Sequence, residues 1–203
     1  MTMFEEITTL SPVQFFTLTW DCPYAKGSLK TSSQSKLPHL GDLLDEETFA
    51  DLHMSWNEKG IELEIKVKDR TPEDSVELFF DMRDLKNKTV VSKFCHHFVF
   101  TPDEKDGAFG KEISRFRNED AHRLCDPQDL KVDVKGTESA YTLHIAIPAH
   151  CLHGYEPRQF NRMGFTYRIN RDRKMAQHFA VCEDFSIEQN PSLWATIRLL
   201  GEK

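Results

Sequence analysis

In GIELEIKVKD, residues 60–69, the apolar set Ile61, Leu63, Ile65 and Val67 alternates with Glu62, Glu64, Lys66 and Lys68. A period of two marks a strand with one face on a core and the other in water. The preceding ADLHMSW alternates Leu52, Met54 and Trp56, and NEKG between the two runs is a Gly-containing hairpin loop. Residues 51–68 are therefore expected to form a hairpin in an outer sheet. SVELFFD, KFCHHFVF, LKVDVK, AYTLHIAIP, MGFTYRIN, QHFAVC and LWATIRLL read as further strands, most of them separated by short polar stretches. Helix is confined to DEETFA and PAHCL, each about one turn long. Repeated short strands without a helical period predict an all-β fold, an antiparallel two-sheet β-sandwich.

Two segments break the rhythm. Residues 21–47, rich in Ser, Lys, Pro and Gly, read as a long surface connection, and residues 102–129 as a polar excursion between KFCHHFVF and LKVDVK. A chain of 203 residues accommodates both within a single domain spanning 1–203. The net charge of −7 argues against a nucleic-acid partner, which calls for a basic patch. No run approaches the roughly 18 apolar residues of a membrane span. The N-terminal MTMFEEITTLSPVQFF carries acids and no basic residue, unlike a secretory signal, so a cytoplasmic location is expected. Cys22, Cys95, Cys125, Cys151 and Cys182 are odd in number and scattered, and are expected to be reduced thiols, mostly buried.

The order of ADLHMSWNEKGIELEIKVKD, DSVELFFDMR, AYTLHIAIPAHCL, MGFTYRINR and LWATIRLL resembles the family 9 carbohydrate-binding modules and their DOMON-like relatives, over about residues 50–100 and 130–200. The resemblance implies a jelly-roll sandwich with a sugar cleft on one sheet, two clamping aromatic rings and structural calcium. It also implies that Glu77, on DSVELFF, offers its carboxylate to sugar hydroxyls. Where those modules carry a clamping tryptophan before this strand, the present loop is DRTPE. Near the C-terminus Trp194 is either the second clamp or a core residue. The arginine of the next strand has its counterpart near His97 or Val99, according to register. Haem, bound by some DOMON relatives, would draw on Met54, Met175, His96 or His97.

The residues themselves narrow the chemistry. Glu77 and Asp81 share one side of a strand at about 13 Å, beyond the spacing of a hydrolytic carboxylate pair. Asp81 is expected to cap the turn into MRDLKNK or to bind Arg83. His96 and His97 fall on opposite faces, so they do not ligate one metal together. Arg168 and Asn170 share a face of MGFTYRIN and either meet solvent or line a cleft with Glu77, supplying the donors that a hydroxyl-rich ligand needs. In ISRFRNEDAH the acids and His122 could hold a metal or form a salt-bridged surface loop, and RFR could meet an anion. The expected activity is thus a non-catalytic module holding a glycan or other polyhydroxylated ligand on one sheet face through Glu77, His97, Arg168, Asn170 and Trp194. The alternative is a cytosolic interaction or scaffold protein that has kept the sandwich and lost the sugar site, with a protein partner.

Overall fold

The computed structural model describes residues 18–41, 45–68, 71, 74–102, 108–117, 119–137, 139–171, 175–182 and 184–201. The N-terminal segment and most of the DRTPE loop lie outside them. The strands in chain order are β1 (Thr19–Cys22), β2 (Ala50–Asn57), β3 (Gly60–Lys68), β4 (Ser75–Asp81), β5 (Cys95–Thr101), β6 (Phe109–Glu112), β7 (Lys131–Gly136), β8 (Ala140–Pro148), β9 (Arg162–Arg171), β10 (Met175–His178) and β11 (Ala195–Leu199). They form a four-stranded sheet, β2-β3-β8-β7, packed on a seven-stranded sheet, β1-β11-β9-β4-β5-β6, in which β10 also pairs with β9. The β-sandwich expected from alternation is the fold. No helix among the described residues is long and apolar enough to cross a membrane.

The two sheets meet through the residues that alternation assigns to the interior. Ile61, Leu63, Ile65 and Val67 of β3 and Leu143, Ile145 and Ile147 of β8 bury against Val76, Leu78 and Phe80 of β4, Phe98 and Phe100 of β5, and Phe165, Tyr167 and Ile169 of β9. Removing this much apolar surface from water is the main force holding the sheets face to face. The β2–β3 hairpin turns through Glu58 and Lys59. Gly60 closes it at φ 143°, where a Cβ would lie 2.1 Å from the carbonyl oxygen of Ile147, so only glycine fits.

Several expectations differ in detail. Pairing is not uniformly antiparallel, because β1 runs parallel to β11. β1 overlaps the start of the 21–47 connection and β6 lies inside the 102–129 excursion, so neither segment is wholly loop. DEETFA forms no helix over 46–49, whereas PAHCL contains a 3-10 turn at Ala149–Cys151. The outer side of β2 is not fully solvated. The chain bridges it at Tyr24↔Trp56 and Lys36↔His53, and Ser35 Oγ lies 3.1 Å from Nδ1 of the buried His53.

Cys125 and Cys151 are joined in a disulfide, with Cα atoms 4.8 Å apart, and are not the reduced thiols expected. The 3-10 turn after β8 carries Cys151 to the place where the Cys125 amide is tied to Glu112, a proximity that their 26-residue separation does not betray. Cys22 and Cys95 are free and buried, and burial pushes the Cys95 thiol up to about 12.

Gln177 of β10 fastens the two sheets by polar contacts. Its Oε1 accepts from the amides of Phe49 (2.9 Å) and Ala50 (2.8 Å), and its Nε2 donates to Ala50 O (3.0 Å) and Tyr167 Oη (2.9 Å). The side chain is 3% exposed, so no water can replace it. Replacing Gln177 by Leu orphans two buried amides and is expected to cost about 2–4 kcal/mol, read as a shift of the denaturation midpoint in urea at unchanged slope.

Candidate functional site

Seen from the core, the even-numbered residues of β4 point inward and Ser75, Glu77, Phe79 and Asp81 point out. The outward face is nevertheless largely covered. After β10 the chain crosses it and leaves through a 3-10 turn at Pro191–Leu193, and Val181, Ile187, Leu193 and Trp194 form a second small core with Phe79 and Cys95. On the other flank, residues 113–117 rise from the end of β6. The Ile113 amide donates to His97 O (2.7 Å), and Ser114 Oγ accepts from the His97 amide (2.9 Å). Between these two walls lies a cleft of about 580 Å³. Glu77, Phe79, His97 and Arg168 border it from the sheet, Phe116 and Arg115 from one wall, and Glu188 from the other. Arg117 reaches across to Gln189 at 3.4 Å.

Sheet register brings four of the expected residues together. Glu77 pairs with Arg168 across β4 and β9, Ser75 with Asn170, and Phe79 with His97 across β4 and β5. Arg168 grips the Glu77 carboxylate in bidentate fashion, Nε to Oε1 and Nη2 to Oε2, each at 2.9 Å. Asn170 Nδ2 donates to Oε1 (2.9 Å) and His97 Nε2 to Oε2 (2.7 Å). The His97 ring stacks on Phe79 with centroids 4.1 Å apart, which fixes its orientation. Arg168 Nη1 makes a further 2.6 Å pair with Glu188.

Glu77 is only 8% exposed. Burial by itself raises the carboxyl, yet the His97 hydrogen bond, the Arg168 charge and the Asn170 hydrogen bond outweigh it and bring the pKa down to about 2. Reciprocally, burial opposes the Arg168 charge, while Glu77 and Glu188 hold its pKa above the ordinary arginine value. Four hydrogen bonds occupy the four lone-pair sites of the Glu77 carboxylate. In this arrangement the residue holds Arg168 and His97 in place and has no acceptor left over for a hydroxyl.

The remaining expectations resolve by location. Trp194 is 1% exposed, packs 5.8 Å from Phe79, and donates its indole N–H to Ile187 O (2.9 Å), so it underlies the cleft as part of the second core. Asp81, also 1% exposed, accepts from the amides of Arg83 (3.0 Å) and Leu85 (2.8 Å) and caps the turn as expected, and burial raises its carboxyl. The Arg83 side chain turns instead to Glu156 (2.9 Å). Met54 lies in the core between the sheets, and Met175 is 36% exposed on β10.

Glu188 and the ring of Phe116 also line the cleft, outside the residues expected from the sequence. Glu188 carried no signal in EDFSIEQN. The only hint for Phe116 was its place between two arginines. A separate buried cluster, His96, Glu112 and His122, gathers around the base of the excursion. Calcium, implied by the resemblance, takes about six to eight oxygens. Neither group of metal-ligand-type side chains among the described residues is of that kind, since one contains two imidazoles and the other the paired Cys125 and Cys151.

Among solved structures, the chain is similar to a carbohydrate-binding module of family 9 from Caldicellulosiruptor kristjanssonii in complex with cellotriose. It superposes with a TM-score of 0.62 at 18% identity, over 91% of this chain and 95% of that one. The same kind of module from that organism in complex with glucose gives 0.62 at 17% identity, over 91% and 97%. The chain has a family 9 carbohydrate-binding module-like fold. No protein-family model matches the chain, nor does the sequence of any curated protein.

A carboxyl whose pKa is depressed by folding stabilises the native state above its unfolded pKa, and that contribution fades as pH falls through the folded value. For Glu77 the window runs from about 4.5 down to about 2. Glu77→Gln is expected to lose about 2–4 kcal/mol of stability at neutral pH, since it weakens a buried charged network. Chemical denaturation across this pH range should show a shallower acid loss in the variant than in the parent.

Proposed function

We propose that the chain is a non-catalytic binding module that holds a carbohydrate, or a ligand of similar hydroxyl-rich chemistry, in the cleft on the outer face of the seven-stranded sheet. The observation that carries this reading is the fixed polar floor. Arg168 and His97 are held rigid by a saturated Glu77, at the base of a cleft whose wall carries the half-exposed ring of Phe116. Sugar recognition asks for these two elements, preorganised polar groups for hydroxyls and an aromatic face for the C–H side of a pyranose. Glu188, whose side chain is 37% exposed and bound through one oxygen to Arg168, supplies the acceptor that Glu77 lacks. Arg115 and Arg117, both exposed, offer donors at the mouth. The sugar-bound structures of the same fold support the ligand class.

This assigns the residues different parts. Glu77 and Asn170 are positioning residues, and Trp194 supports Phe79 from beneath. The ligand would meet Phe116, Glu188, Arg168 and His97. A second reading, an interaction protein that has kept the sandwich without a sugar site, is favoured by one observation. The carboxylate expected to receive hydroxyls is already filled by protein donors.

Calorimetric titration with cellotriose and a panel of other oligosaccharides separates the readings. Saturable binding that Phe116→Ala and Glu188→Ala each weaken about 5- to 30-fold, or about 1–2 kcal/mol, is the expected result. Neither variant should move the melting temperature by more than about 3 °C, because both side chains are partly exposed. If no saccharide binds at millimolar concentration, the interaction-protein reading stands in its place.

A further inference from the structure

The His96–Glu112–His122 cluster takes no part in the cleft chemistry just described. Glu112 of β6 is buried. Its Oε1 receives His96 Nδ1 (2.8 Å), His122 Nε2 (2.8 Å) and Ser114 Oγ (2.7 Å), and its Oε2 receives the amide of Cys125 (2.7 Å). The outer nitrogens of the two rings face backbone carbonyls. His122 Nδ1 lies 2.6 Å from Lys93 O, and His96 Nε2 lies 3.3 Å from His153 O. Four ring nitrogens thus face oxygens that only accept. Two neutral imidazoles bring two N–H groups to these four contacts. With those N–H groups on the outer nitrogens, both inner lone pairs turn to the same carboxylate oxygen, and a positive centre has to lie between them.

We infer that His96, Glu112 and His122 form a binding site for a zinc-class divalent cation that fastens the polar excursion to the edge of the seven-stranded sheet. One divalent ion carries the charge of the two protons it replaces, so the buried cluster keeps its electrostatic balance. The outer N–H groups on Lys93 O and His153 O then fix the tautomers that turn the inner lone pairs toward the metal, the usual support of histidine ligands. Two imidazoles and a carboxylate suit zinc and its transition-metal neighbours. The three ligand atoms already lie within 4.8 Å of one another. A tetrahedral zinc with bonds of about 2.0–2.1 Å spaces its ligand atoms about 3.3 Å apart, so each 2.8 Å contact opens by about half an ångström. Ser114 Oγ or solvent supplies the fourth ligand.

The consequence reaches the cleft. His122 lies between β6 and β7, where the described residues of 113–126 form no helix or strand, and the ring of Phe116 packs edge-on against it with centroids 4.6 Å apart. A metal at His122 would hold that wall in place.

The test uses the full chain, stripped with a chelator and dialysed, and titrated with Co(II) and then Zn(II). One equivalent of Co(II) should bind at or below about 10 µM, with the visible bands of a four-coordinate site, and one equivalent of Zn(II) should displace it. In the same unmutated protein, Zn(II) should slow amide hydrogen exchange across 113–126 at least tenfold. His122→Gln should abolish uptake. Absence of saturable uptake by the parent at 100 µM metal overturns the inference. So does uptake that leaves exchange across 113–126 unchanged, which locates the ion elsewhere even if the variant does not fold. Undiminished uptake by a folded His122→Gln overturns it as well.

Discussion

A carboxylate removed from water has to be met by donors at nearly every lone pair, and this requirement organises one whole face of the molecule. Glu77 projects from the outward side of a central strand, 8% exposed, and is stable there only because Arg168, Asn170 and His97 converge on it. Each comes from a neighbouring strand, so their convergence depends on β4, β5 and β9 keeping register. A slip by one residue would turn every partner to the opposite face. The salt network and the hydrophobic alternation therefore specify the same register by independent means.

The second buried glutamate repeats the arrangement across β5. His96 and His97 are adjacent in sequence and point to opposite faces, the pleat sending His97 to Glu77 and His96 to Glu112. Glu112 also lies well below the usual carboxylate range. Burial raises it, but hydrogen bonds from His122 and His96, the His96 charge and the Cys125 amide prevail. Around the first glutamate the sheet gains a rigid floor for the cleft. Around the second the part of the excursion beyond β6 acquires an anchor, and the Cys125–Cys151 link ties its far end to the turn after β8. The cleft thus has its floor set by one buried charge and a wall set by the other.

The strands with long alternation, β3 and β8 above all, could be read directly because one side of each meets only the core. β1 and β6 could not. TWDC and FGKE are short and lie at sheet edges, where little pattern is needed. The grouping of Glu77, Arg168 and Asn170 was legible because alternation places them on one kind of face, and the family resemblance placed their strands in one sheet. What the sequence concealed is long-range. His122 reaches Glu112 through a loop with no period, Cys125 meets Cys151 with β7 and β8 between them in the chain, and the last turns fold back to bury Trp194, giving an outward face a core of its own. In each case the contact is set by how a non-repeating segment crosses the sheet, and no local pattern encodes that path.

The most direct test of this account is the ionisation of Glu77 itself. Carbon-detected NMR of its side-chain carboxyl, followed from about pH 7 down to about pH 1.5, should show a group that stays ionised until the pH approaches 2. A midpoint near the ordinary 4.5 would mean that Arg168, His97 and Asn170 do not hold the carboxylate, and would contradict the account.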